Sequence, residues 1–166
     1  MEEGAIVAGF LDARIPNNEF LASEKEYADF ELRFEAKLVG KGTNAGVQFR
    51  SQRIPKSHEM IGYQCDIGGW SKGTIWGFLY DESRRRRMLA EAPQEELKKH
   101  VRPKGEWNKL VVRAEGSRIQ IWLNGYQTVD FTEADENIPL KGHFGLQIHG
   151  GSPAECWYRN IRIRKL

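Results

Sequence analysis

Phe30-Glu31-Leu32-Arg33-Phe34-Glu35-Ala36-Lys37-Leu38 alternates apolar and charged residues without a break. This period of two is that of a β-strand with one face in a core and the other in water. A helix would scatter the same apolar residues around its circumference. The stretch therefore predicts a half-buried strand, and its neighbours repeat the pattern.

From Ala45 to Ser51, Val47 and Phe49 oppose Gln48 and Arg50. From Ile61 to Ile67, Ile61, Tyr63, Cys65 and Ile67 oppose Gly62, Gln64 and Asp66. Lys109 to Glu115 and Arg118 to Asn124 form a hairpin turned at Gly116-Ser117, and Asn124-Gly125 is a strong turn signal into a strand over Gln127 to Phe131. Two last strands follow, over His143 to His149 and Cys156 to Arg164. Tyr158 and Ile161 break the alternation of the second, which predicts a bulge near Arg159-Asn160. A further strand is expected over residues 4–10, one helical turn over Ser23 to Tyr27, and an aromatic-rich strand over Thr74 to Asp81. Pro93 to His100 reads as a short helix, with proline first, acids early and bases late. About ten short strands with regularly spaced turns predict one all-β domain over residues 1–166, an antiparallel two-sheet β-sandwich of jelly-roll type with a concave outer surface.

The composition suits such a domain. Of 166 residues, 40% are hydrophobic and 29% charged, and the net charge is +2. Nucleic-acid binding is not expected from so small a basic excess, nor a membrane span, since no apolar run approaches about 20 residues. Met1-Glu2-Glu3-Gly4 is acidic and does not read as a leader. Cys65 and Cys156 are expected as buried thiols rather than a disulfide framework. Phosphate-loop, serine-elbow and paired-cysteine motifs are absent.

Strand parity collects one set of polar residues. If Val47 and Phe49 are core, then Gln48 and Arg50 share a face with Gln64, Asp66, Gln147 and His149. An arginine, amides, an acid and a histidine suit sugar hydroxyls, while Trp76 and Tyr80 offer rings for a sugar's apolar face. Arg84, the first of four consecutive arginines, is a candidate rim residue, and Glu155 a candidate acid. The plain alternative is a solvated sheet face. His143 and His149 share parity but lie about 20 Å apart along a strand, so they cannot chelate one ion. His149 with Asp66 and Glu155 is the conceivable metal set. No metal and no cofactor are expected.

The chain resembles the 3-keto-disaccharide hydrolase domain family, which has the concanavalin A-like lectin/glucanase sandwich. The resemblance rests on Glu26-Tyr27-Ala28-Asp29-Phe30-Glu31-Leu32, Asn44-Ala45-Gly46-Val47-Gln48-Phe49-Arg50, Gly62-Tyr63-Gln64-Cys65-Asp66, Trp107-Asn108, Trp122-Leu123-Asn124-Gly125, Gly145-Leu146-Gln147-Ile148-His149-Gly150 and Arg159-Asn160-Ile161-Arg162-Ile163, in family order. Members usually begin with a further segment, so one sheet edge is expected to be exposed or completed by a partner. They are commonly secreted or periplasmic. The resemblance implies cleavage of glycosidic bonds in 3-keto-glycosides or 3-keto-disaccharides. A ketone at C3 acidifies the C2 proton, so one base and an enolate stabiliser suffice where ordinary glycosidases need two carboxylates. His149 or Asp66 is then the expected base, and Arg50 or Gln64 the stabiliser. The alternative is a non-catalytic, lectin-like carbohydrate-binding module. Either way the partner is a mono- or disaccharide derivative.

Overall fold

The computed structural model describes residues 4–71 and 73–166. One sheet runs, in spatial order, β1 (Ile6–Phe10), β13 (Ala154–Lys165), β3 (Phe30–Gly40), β9 (Asn108–Glu115), β10 (Arg118–Leu123) and β11 (Tyr126–Thr132). The other runs β2 (Glu19–Ala22), β12 (His143–Ile148), β4 (Asn44–Arg53), β5 (Met60–Trp70), β7 (Leu79–Glu82) and β8 (Arg87–Ala90), with β6 (Gly73–Thr74) paired to β5. Every pairing is antiparallel. The all-β, two-sheet sandwich expected from the alternation is the fold.

The core lies between the sheets. Phe30, Leu32, Phe34, Ala36 and Leu38 of β3 are buried and face Val47, Phe49, Tyr63, Cys65 and Ile67 of the second sheet. Each of the larger of these, the Phe, Leu, Val and Ile side chains, contributes about 2 kcal/mol by leaving water. Phe30 meets Phe49 and Phe144 edge-on, at centroid distances of 5.9 and 4.7 Å. Cys65 and Cys156 are buried free thiols. The Tyr158 hydroxyl crosses from β13 to the backbone carbonyls of Gly46 and Gln147, tying β4 to β12 from beneath.

The bulge expected near Arg159-Asn160 is present. The register of β13 against β3 shifts between Arg159 and Arg162, with Asn160 at φ +53°. The helix α1 spans Gln94–His100, and it buries Leu97. Two expectations fail. Ser23 to Tyr27 is not a helical turn, because Phe144 N–H donates to Ser23 Oγ and Tyr27 N–H to the Gly142 carbonyl. These outside partners hold the segment extended. Thr74 to Asp81 is not one strand either. The chain breaks after β6, and a tight turn from Ile75 to Phe78 buries Ile75, Trp76 and Phe78 together. The expected N-terminal edge falls partly on residues 1–3, outside the described residues; β1 itself covers Ala154 to Tyr158 of β13.

One irregularity shapes the polar face. The register of β4 against β5 shifts between Phe49 and Gln52, and Arg50 takes φ +49°. Beyond this bulge the β4–β5 hairpin folds back over the outer face of its own sheet. Met60 shows this most directly. Its carbonyl accepts from Gln48 Nε2 at 3.4 Å, and a Cβ on Gly145 would lie 2.7 Å from its sulfur. The hairpin is latched by Arg53 to the Phe20 carbonyl, by Asn18 Nδ2 to Glu59 Oε1 at 2.9 Å, and by His58 with Glu19 at 2.7 Å.

Arg50 therefore does not join the polar face, contrary to the parity reading. The bulge turns its side chain to the end of the sandwich, where it donates to the carbonyls of Ala28 and Gly116 and to Asp29 Oδ1, at 2.9, 2.7 and 3.0 Å. Its role is to tie the two sheets and hold the bend. Arg50→Lys keeps the charge but cannot reach three divergent acceptors. It should lower unfolding stability by about 2 kcal/mol in denaturant titration.

Candidate functional site

The register fixes which side chains share the outer face of the second sheet. Gln147 of β12 and Asp66 of β5 flank Gly46 of β4 in one row. Two strand spacings place them about 10 Å apart. The next row is Gly145, Gln48, Gln64 and Tyr80. Glu82 lies beyond Tyr80 on β7, and Asn44 lies beyond Gly46, next to His149. The space that Cβ atoms would take at Gly46 and Gly145 is filled by neighbours, Gln64 over Gly46 and Met60 over Gly145. A Cβ at Gly46 would lie 2.6 Å from the Gln64 carboxamide carbon.

Under the folded hairpin this row is buried: Gln48 and Gln147 are 0% exposed, Gln64 2% and Asp66 1%. Gln64 Nε2 donates to Asp66 Oδ1 at 2.8 Å. Asp66 Oδ2, the Oε1 atoms of Gln48 and Gln64, both side-chain polar atoms of Gln147 and Asn44 Oδ1 have no protein partner. Buried polar groups in native proteins are nearly always hydrogen-bonded, so this many orphans on one face mark a place that water or ligand hydroxyls complete.

Burial pushes the Asp66 carboxyl up to about 8, and the nearby Glu82 charge adds to the effect against the hydrogen bond from Gln64. Glu82 is also raised, by burial and by Glu59, while His149 acts in the opposite sense. Glu59 and His149 thus both act on the charge of Glu82. Tyr80 stands beside them and meets the exposed Trp70 edge-on at 5.9 Å. A polar cavity of about 320 Å³ lies at this end, lined by Lys41, Thr43, Asn44, Trp70 and His149. His149 is exposed, and its Nδ1 is engaged with the Gly150 carbonyl.

Gln48, Gln64, Asp66, Gln147 and Tyr80 are therefore brought together, with His149 at the margin. Four expected residues stand elsewhere. Arg50 is at the sandwich end. Trp76 is 8% exposed and packs in the core, away from the polar face, with one edge on a separate cleft beside Trp70. Arg84 lies on the core side of β7, donating to Asp81 and stacked over Tyr63 at 4.7 Å. Glu155 belongs to the other sheet, where it accepts from Trp157 Nε1 at 2.9 Å. Its position removes the set of His149, Asp66 and Glu155. Among the described residues no group of three or more His, Cys, Asp or Glu side chains could hold a metal ion. Glu82 and Glu59 were missed. The parity of Tyr80 reaches Glu82 two residues on, whereas nothing in the sequence folds Glu59 back over the face.

Solved structures share the fold. A candidate glycosyl hydrolase from Parabacteroides distasonis superposes with a TM-score of 0.70 at 22% identity, covering 99% of this chain and 82% of that one. The carbohydrate-binding module CBM66 from Bacillus subtilis gives 0.70 at 18%, covering 98% and 96%. A protein of unknown function with a galectin-like fold, also from Bacillus subtilis, gives 0.68 at 9%, covering 97% and 89%. A search of curated proteins finds no match. The model of the 3-keto-alpha-glucoside-1,2-lyase-like domain matches residues 1–164, and the chain belongs to that family.

Proposed function

We propose that the covered polar face binds a carbohydrate and cleaves the glycosidic bond of a 3-keto-glycoside. The observation that carries this reading is Asp66: a buried carboxyl with one unpartnered oxygen among unpartnered amides, which its burial pushes up to about 8. A group that titrates near neutrality can take up and return a proton at working pH. Asp66 removes the proton from C2. The electron pair passes into the C3 carbonyl, giving an enolate. The enolate then collapses, C1=C2 forms, and the C1–O bond breaks. The departing oxygen takes a proton, for which Glu82 is the nearest raised carboxyl. Water adds across C1=C2, oxygen to C1 and hydrogen to C2. The amide N–H groups of Gln48, Gln64 and Gln147 are the donors available to the C3 oxygen, the role Arg50 cannot fill from the sandwich end.

A second reading has its own support. Three glutamines around a single fully buried acid form a hydrogen-bonding surface that also suits binding without turnover, and the fold alone does not choose between them. The test is incubation with methyl 3-keto-α-glucoside. The wild type should release methanol, and Asp66→Asn should lower turnover at least about a hundredfold while staying folded. Binding without release would favour the module. Unchanged turnover in Asp66→Asn would remove Asp66 from the mechanism.

A further inference from the structure

Trp70 has a second side. Beyond it, at the same end of the sandwich, a cleft of about 700 Å³ is lined mainly by Leu38, Trp70, Trp76, Val101 and Pro103. This volume is of the size that holds a small organic ligand. Trp70 also walls the polar cavity that contains Asn44 and His149, so one indole separates the two spaces. At 44% exposure the ring is accessible rather than packed away.

The cleft differs from the polar face in chemistry. Its walls are mainly apolar, with hydroxyls only from Thr43, Ser71 and Thr74 and charge only at the rim. Its rim carries Arg102 and Lys104, both exposed, and neither is within salt-bridge distance of a carboxylate among the described residues. Lys104 is held over the mouth by a 3.2 Å hydrogen bond to the Gly42 carbonyl. Indole walls favour a flat ring, and two rim cations favour an anionic substituent on it.

We infer that this cleft receives the aglycone, and that the aglycone is a flat aromatic ring bearing an acidic group. The inference rests on the proposed sugar site for its position but not for its chemistry. The sugar then sits over Asp66 on one side of the Trp70 indole and the ring on the other, against Trp76. Arg102 and Lys104 then set specificity without touching the reacting atoms.

Calorimetric titration of the full chain with 2-naphthoate and with 2-naphthalenemethanol tests the cleft without any sugar. The acid should bind more tightly than the alcohol. The double variant Arg102→Glu/Lys104→Glu should weaken the acid about tenfold and leave the alcohol unchanged. A second arm compares the 3-keto-glucoside of 6-hydroxy-2-naphthoate with methyl 3-keto-glucoside. The aryl substrate should show a KM about tenfold lower, and the double variant should abolish that advantage with little change in kcat. If no 3-keto-glucoside turns over, the sugar reading fails and the naphthoate arm still decides the cleft. Failure of 2-naphthoate to bind, indifference of its binding to the double variant, or its displacement by a disaccharide at lower concentration would overturn the inference.

Discussion

Arg85→Ala is expected to lower unfolding stability by about 3 kcal/mol at neutral pH. Arg85 lies between two buried carboxylates. It contacts Asp81, whose side chain is 0% exposed, and forks onto both oxygens of Glu133, at 3.1 and 2.6 Å. Glu133 also accepts from the Tyr63 hydroxyl at 2.7 Å. Burial alone would raise Glu133, but the hydrogen bonds from Arg85 and Tyr63 outweigh it and hold the carboxyl at about 2. Truncation leaves Asp81 with Arg84 alone and Glu133 with only the Tyr63 hydroxyl and the Asp135 N–H, and an uncompensated buried charge is among the costliest single changes. The pH dependence separates this cause from lost packing. A depressed carboxyl stabilises the fold above its unfolded pKa, near 4.3, and that stability is lost as pH falls through the folded value of about 2. In Arg85→Ala the loss should move to higher pH. Denaturant titrations of both proteins between pH 2 and 7 measure it, and parallel pH profiles would contradict the assignment.

Asp66→Asn should do the reverse. A carboxyl raised to about 8 in the folded state, against about 3.9 unfolded, favours the folded chain only while both states are protonated. As pH rises from about 4 to 8 the unfolded state ionises first, so this group subtracts stability progressively. Above pH 8 the loss is complete. Asparagine keeps an oxygen for Gln64 Nε2 and never ionises. The variant should match the wild type near pH 4 and exceed it by up to about 5 kcal/mol at pH 8. A stabilising substitution that lowers the proposed activity is the trade-off expected where a buried polar group serves function. An equal difference at both pH values would show that the carboxyl is not ionising inside the fold.

Much of this was legible in the sequence, and the boundary has physical causes. Phe30 to Leu38 announced a strand because its period is two, and the break at Tyr158 and Ile161 announced the β13 bulge. The facing row of Gln48, Gln64, Asp66 and Gln147 followed from parity, since parity survives wherever the ladder is regular. It failed for Arg50 because the β4 bulge inserts residues there, and a bulge without glycine leaves little local mark. It failed for Glu155 because both sheets of a sandwich show a polar outer face, and alternation does not say which sheet a strand joins. The folded-back hairpin was invisible for a related reason. Its latches join Asn18 to Glu59 and Arg53 to Phe20, contacts made only after the chain has bent. So the sequence pattern showed the polar row as a surface, whereas the fold buries it.

The central claim is that these covered amides and Asp66 are where the sugar binds. The most direct measurement follows the side-chain amide ¹H–¹⁵N signals of Gln48, Gln64 and Gln147 in Asp66→Asn as methyl 3-keto-α-glucoside is added. The variant is used because it should bind without turnover. All three amides should shift together and saturate at one sugar concentration. Movement confined to exposed amides such as Gln52 and Gln127, with the three buried glutamines unmoved, would contradict it.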